Sequence, residues 1–278
     1  MGFEATWLAD RGPYDEAALD RAAVSQIQAW AGQLPASHVP IVVDLGSGTG
    51  AALRRARCWL ADRPVRAYAV DRDAALLTQA REFVASEQVL PIVGDLLEPL
   101  CASGGPADGT VDLVLGHALA DLVPLDRLAD RAARLLRPGG LVHLALAYDG
   151  LTAFSPAIDA ALDRATIAAF HRHMDGSAAR QPTYGGSTAG RRVAPALVSA
   201  GLTVLVDAPS VWQVRADDGE GGRRVLARLI RFVVEAAREV GSVSASDLDF
   251  WERERLDALA ARTLAVTVGH RDVLAARR

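Results

Sequence analysis

Apolar and polar positions follow two rhythms along this chain. Short, largely β-branched apolar runs stand at Ile41–Leu45, Val65–Val70, Val89–Val93, Val111–Leu115 and 141–147. Between them, at about 51–60, 73–84 and 125–136, apolar residues recur at helical spacing. An earlier stretch, about Asp15 to Gly32, carries Ala18, Leu19, Ala22, Ala23, Ile27 and Trp30 on one predicted helical face. Pro91 removes a ladder donor from the third run, which predicts an edge strand there. Strands that alternate with helices predict an α/β fold with a doubly wound parallel sheet.

After Tyr148 the alternation breaks. Residues 151–187 hold a helical run over 156–174 and then a polar, glycine-rich stretch, Asp175 to Ser187. Alternation resumes with a helix over 188–200 and a strand over 202–207, with a further short strand expected at Ser210–Val214. Helices at about 223–240 and 246–261 and a last strand from Thr263 complete the pattern. The expected organisation is one domain. Residues 1–39 form an N-terminal helical flap, 40–150 a cofactor-binding core, and 151–187 a lid insertion. Residues 188–278 form a second half with a helical insertion at 223–261.

Composition narrows the class. Half of the 278 residues are hydrophobic, enough for a sizeable core. No apolar run reaches the roughly 18 to 20 residues that span a bilayer. The opening Met1-Gly2-Phe3-Glu4 lacks a basic n-region and an h-region, and two cysteines make no disulfide framework. A cytoplasmic protein without a membrane partner is expected. The formal net charge of −4, with no basic run, argues against a nucleic-acid backbone binder. The chain contains no lysine, so a P-loop lysine and a pyridoxal-phosphate Schiff base are both excluded.

The chemistry gathers at the predicted strand ends, where open α/β sheets bind ligands. The first run ends in Asp44-Leu45-Gly46-Ser47-Gly48-Thr49-Gly50, a strand, glycine loop and helix start. Glycine permits positive φ and close backbone approach to a ligand, and the next helix offers unpaired N–H groups. Asp44 either accepts loop N–H groups or reaches a ligand ammonium. Asp71, followed by Arg72, ends the second strand 21 residues after Gly50, the spacing of a carboxylate that takes two ribose hydroxyls. Asp95, after Gly94, is expected to accept from an exocyclic adenine amine while Leu96 packs on the ring. Gly116 and His117 end the fourth strand.

Together these pieces resemble the class I S-adenosylmethionine-dependent methyltransferases. The matching residues are Asp44-x-Gly46-x-Gly48-x-Gly50, Asp71, Gly94-Asp95-Leu96, the strand at Asp112–Leu115 and Leu136-Arg137-Pro138-Gly139-Gly140. They cover about residues 40–147. The resemblance implies a Rossmann-like seven-stranded sheet, mostly parallel, with an antiparallel last strand over 263–274. It also implies S-adenosyl-L-methionine laid across Gly46–Gly50, with Asp71 on ribose, Asp95 near adenine, and Ser47, Arg72, Leu96, Gly116 and His117 around it.

Methyl transfer from a sulfonium needs in-line alignment and exclusion of water. A base is needed only for a protonated acceptor. His117, His171 and Tyr184 are the catalytic candidates, with His173 and Asp121 behind them. His117 also reads as a histidine that packs against the cofactor. His171 and His173 point to different helix faces, a poor chelating pair, so no metal is expected. Trp212 and Trp251 read either as an aromatic pocket or as core. Arg191 and Arg192 read as a solvated face.

The place after strand four reads Gly116-His117-Ala118-Leu119. It lacks the Pro-Pro-Tyr/Phe signature of adenine and glutamine-amide methylation, and neither cysteine stands where cytosine-C5 methylation needs one. A small-molecule acceptor follows, with oxygen slightly favoured over nitrogen or carbon. Two rival readings are a non-catalytic S-adenosylmethionine-binding sensor or partner, and an NAD(P)-dependent oxidoreductase. The helices within 223–261 read either as packed on the domain or as the contact of a homodimer, and periodicity does not separate the two.

Overall fold

The computed structural model describes residues 5–61, 63–83, 89–176 and 185–278, with the side chains of 81–83 left aside. Seven strands form a single sheet: β1 (Ile41–Leu45), β2 (Arg66–Asp71), β3 (Val89–Val93), β4 (Val111–His117), β5 (Leu136–Ser155), β6 (Thr203–Arg215) and β7 (Ala265–Ala276). Their order is β3-β2-β1-β4-β5-β7-β6. The pairs from β3 to β5 are parallel, and β7 runs antiparallel between β5 and β6. This is the expected doubly wound sheet with an antiparallel last strand, and Pro91 does lie on its edge strand.

Nine helices flank the sheet in the described residues: α1 (Ala5–Ala18), α2 (Arg21–Gln33), α3 (Ala51–Trp59), α4 (Ala74–Phe83), α5 (Leu125–Leu135), α6 (Ala160–Met174), α7 (Ala189–Ser199), α8 (Gly219–Val240) and α9 (Ala245–Ala260). Side chains alternate across each strand. Val42, Leu113 and Leu115 therefore enter a core shared with α1, α2, α3 and α8. Val43, Leu45, Val114 and Val142 enter the opposite core under α5 and α7. No helix among the described residues is long and apolar enough to cross a membrane.

Three departures from the pattern-based expectation shape the site. The N-terminal helix is two helices, broken at Leu19-Asp20. The Asp20 side chain caps α2 by accepting from Ala23 N at 2.8 Å, a local bond that competes with continuing the helix. Residues 203–215 are one strand, because Pro209 sits on the outermost strand, where a missing donor is tolerated. Above all, β5 does not stop at 147. Its pairing with β4 ends at His117↔Ala145, yet it runs on against β7 to Ser155. The upper parts of β5, β7 and β6 therefore overhang the C-terminal edge of the parallel strands. The expected lid over 151–187 is in its first part this strand extension, and in its second α6, which packs on α8 and α9.

The overhang begins at an irregularity. The β5–β7 register shifts between Leu144 and Ala147, and Leu146 takes φ 57°, as in a bulge that re-aims a strand. Asp272 of β7 holds it. Its carboxylate, fully buried, accepts from Leu146 N at 2.8 Å, from Ser210 Oγ at 3.1 Å and from Asp20 N at 2.8 Å. One side chain thus ties β5, β6 and the α1–α2 elbow to β7. Asp272→Ala leaves these donors without an acceptor, at a cost of about 3–5 kcal/mol. Thermal unfolding is expected to show a midpoint lower by roughly 6–15 °C, and a shift under 2 °C would refute this role.

Candidate functional site

The loop after β1 is set by three glycines in the left-handed region, Gly46, Gly48 and Gly50, at φ 70°, 52° and 80°. Such angles are strained for any residue with a Cβ. Gly46 N and Ser47 N both donate to Val70 O at 2.9 Å, which ties the loop to the end of β2. Gly48 N donates to Asp71 Oδ2 at 2.8 Å, and Asp73 N donates to Oδ1 at 3.0 Å. A carboxylate offers about four acceptor sites, so Asp71 holds the loop and keeps lone pairs for a diol.

Asp44, Asp71 and Asp95 end or follow three neighbouring strands, so a ligand laid across them meets all three. Asp44 is fully buried and accepts from Ser47 Oγ at 2.8 Å. Burial is the main cause that pushes its carboxyl up to about 7, ahead of the opposing Ser47 hydrogen bond. Asp95 accepts from Leu97 N at 3.0 Å and from Arg72 Nη2 at 2.7 Å. Burial raises its carboxyl, but those two bonds win, and it stays below the usual range. Leu96 packs into the core with Tyr68, Val70 and Ile92. A buried carboxyl short of a cation, a diol acceptor and a third carboxylate fit a ligand with an ammonium, a ribose and an aminopurine.

α1 roofs the loop. A Cβ on Gly48 would stand 3.0 Å from Leu8, and one on Gly46 2.9 Å from Leu119. The helix is fastened at several points. Arg224 of α8 donates to Asp10 through Nε and Nη2, at 2.7 and 2.6 Å, and Tyr14 donates to Asp218 at 3.1 Å.

Beneath this roof the overhang brings together residues far apart in sequence. Tyr148 Oη lies 2.6 Å from His171 Nε2 and 2.8 Å from Thr152 Oγ1. Burial pushes Tyr148 up to about 12 and His171 below its ordinary value, so both are neutral near pH 7. Asp121 follows β4, and burial pushes it up to about 6. Arg11 lies 5.4 Å over the Trp212 ring, and Trp212 lies 4.8 Å from His270.

His117 needs correction as an acceptor-facing base. It is turned beneath α3, with Nδ1 at 3.3 Å from Arg55 Nη1 and Nε2 at 3.2 Å from His143 Nδ1. Trp59 stands beside both imidazoles. Both His117 nitrogens are thus engaged, and burial holds its pKa well below the ordinary value. Its packing partners are the protein's own Arg55, Trp59 and His143. Gly116 is a packing glycine too, since a Cβ would come within 2.8 Å of Leu144.

His173 turns away to Glu239 at 2.8 Å. Trp251 donates to Asp163 at 2.7 Å inside the α6–α9 core, and Arg191 is paired with Asp149 at 2.9 Å. Tyr184 lies outside the described residues. Among the described residues no group of three or more His, Cys, Asp or Glu could hold a metal ion.

Sequence reasoning missed Tyr148, His270 and the contact of Arg11 with Trp212. Only the spacing of Trp7, Arg11 and Asp15, four apart on one helix face, hinted at the last.

Residues 42–140 match the family model described as a methyltransferase domain. No curated protein matches the chain. Among solved structures, a protein of Bacillus halodurans C-125 assigned as a methyltransferase aligns at TM-score 0.54 and 14% identity, covering 92% of this chain and 99% of that one. A protein of Anaeromyxobacter dehalogenans assigned as a type II methyltransferase aligns at 0.53 and 20%, covering 92% and 95%. A phosphoethanolamine N-methyltransferase 2 of Haemonchus contortus, in complex with phosphomonomethylethanolamine and S-adenosylhomocysteine, aligns at 0.51 and 14%, covering 98% and 56%. At these identities the likeness is one of fold.

Proposed function

With residues 42–140 forming a class I S-adenosylmethionine-dependent methyltransferase domain, we propose that the chain methylates an oxygen of a small-molecule acceptor held beneath α1 and α6. S-adenosylmethionine supplies an electrophilic methyl group on a positively charged sulfur. The protein's own residues hold, orient and shield the reactants. Gly46–Gly50, Asp44, Asp71 and Asp95 hold the cofactor, with Arg72 at the adenine end, and α1 excludes water.

The observation that carries the acceptor assignment is the hydrogen bond of 2.6 Å between Tyr148 and His171. A substrate hydroxyl gives its proton to Tyr148 Oη as the phenol proton moves to His171 Nε2. The pair thus avoids the tyrosinate that burial disfavours. The roof of α1, with Leu8 against Gly48, covers the glycine loop and favours a small acceptor over a folded macromolecule. Radiolabelled cofactor incubated with a low-molecular-mass extract, with RNA and with protein tests this reading. Label is expected in small oxygen-methylated products. Label confined to macromolecules, or on nitrogen or carbon, would refute it.

Cofactor affinity is expected to depend on pH through Asp44. Its folded pKa of about 7 means that a cationic ligand, which favours the carboxylate, displaces a proton below pH 7. The dissociation constant should therefore fall as pH rises from 6 towards 7, by up to about tenfold per unit, and level off above. Asp44→Asn should flatten this slope. It should also raise the melting midpoint of the unliganded protein at pH 8, where burial penalises an ionised Asp44. Calorimetry in buffers of different ionisation heat counts the released proton directly. A pH-independent affinity in the wild type would refute the linkage.

A further inference from the structure

Resting on the acceptor site just proposed, the buried polar atoms around Arg11 identify what the acceptor carries. Trp7 and Arg11 stand one helical turn apart on α1, and both face β6. Trp7 meets Trp212 edge-on at a centroid distance of 6.5 Å. Trp212 in turn meets Arg11 and His270. Trp7 and Trp212 are 7% and 5% exposed, and among the described residues the Nε1 of each has no hydrogen-bond partner. A buried N–H without an acceptor is costly and rare in a finished core.

Arg11 adds more donors. Only its Nε is engaged, by Asp15 Oδ2 at 3.1 Å, and among the described residues neither Nη group makes an ion pair or hydrogen bond. Its side chain is 13% exposed, and Asp15 Oδ2 is shared with Arg55 Nη2 at 3.7 Å. The partly buried Arg11 and the buried Arg55 thus lean on one buried carboxylate, with Glu16 helping Arg55 from the surface. Asp121 acts on Arg11 through space without touching it.

Indole N–H and guanidinium N–H donate only. Their complement is a group that only accepts and carries negative charge. Among the described residues two buried acceptors nearby lack a partner, Asp15 Oδ1 and His270 Nδ1, and they suit a hydroxyl on the same molecule. The rings of Trp7, Trp212 and Tyr148 suit a planar body.

We propose that the methyl acceptor is an organic carboxylic acid, its carboxylate held by Arg11 and the indole N–H groups of Trp7 and Trp212. Arg is the side chain best shaped for bidentate carboxylate recognition.

Calorimetry on the full chain saturated with S-adenosylhomocysteine tests this. The probes are benzoate, salicylate and 4-hydroxybenzoate, each set against its primary amide and the corresponding benzylamine. At least one acid is expected to bind, with its amide and amine at least tenfold weaker. Arg11→Gln should weaken acid binding about 10- to 100-fold. Trp212→Phe, which removes the indole N–H and the smaller ring while keeping an aromatic face, should weaken acid binding about three- to tenfold and the amides less. Its melting curve and S-adenosylhomocysteine affinity show whether it folds, so the test survives an unstable Arg11→Gln. Acids that do not bind, amides or amines that bind equally well, or a Trp212→Phe chain that binds acids as the wild type does would each overturn the proposal. Failure of S-adenosylhomocysteine itself to bind would instead sink the methyltransferase site on which the proposal rests.

Discussion

Asp71→Ala is expected to lower S-adenosylmethionine affinity by about 100-fold or more while shifting the melting midpoint of the unliganded protein by only a few degrees. The side chain accepts from Gly48 N and Asp73 N and, in the proposed cofactor site, would accept from both ribose hydroxyls. Each hydrogen bond to a charged acceptor is worth about 1.5–3 kcal/mol, so two lost ribose bonds alone account for the loss. The fold is spared because the loop keeps its other ties, Gly46 N and Ser47 N to Val70 O and Gly50 N to Ser47 O. Asp71→Asn should fall between, since it keeps one acceptor oxygen without the charge. Equilibrium binding to all three proteins decides the matter. Near-wild-type affinity in Asp71→Ala would remove Asp71 from the cofactor site.

What the sequence disclosed, and what it hid, follows from the range of the interactions. The glycine loop, Asp71 and Asp95 were legible because each depends on a strand end and a turn a few residues long. Strand periodicity told that His117 stands at the ligand end of β4. It did not tell which side of the sheet the imidazole takes, and that depends on Arg55 and His143 of other elements. The break between α1 and α2 was hidden for a similar reason. Asp20 caps α2 locally, but its own N–H is fixed by Asp272, 252 residues away.

The overhang was the largest feature missed. Gly150 interrupts the run after Tyr148, where the strand rhythm breaks. Long pairing with β7 carries the strand through it to Ser155, and with it Tyr148 comes to His171 of α6. The proposed acceptor side thus depends on contacts across the whole chain, whereas the proposed cofactor side lies within residues 41–97.

His171→Gln is expected to lower kcat by about 10²–10⁴-fold, the usual contribution of a positioned base, with cofactor affinity unchanged. Glutamine still hydrogen-bonds Tyr148 but takes no proton. The pH profile carries the sharper test. As the proposed base, His171 would act only when neutral, and burial holds its pKa below the ordinary 6.5. The wild-type rate should therefore fall as pH drops below that pKa, and His171→Gln should lose this limb while keeping any limb due to Asp44. Tyr148→Phe should reproduce the loss in kcat, because it cuts the relay at its first oxygen. If His171→Gln turned over at near the wild-type rate, the acceptor would reach the methyl group already deprotonated. The Tyr148–His171 pair would then serve only to orient it, and the small change in kcat would come with a raised acceptor KM.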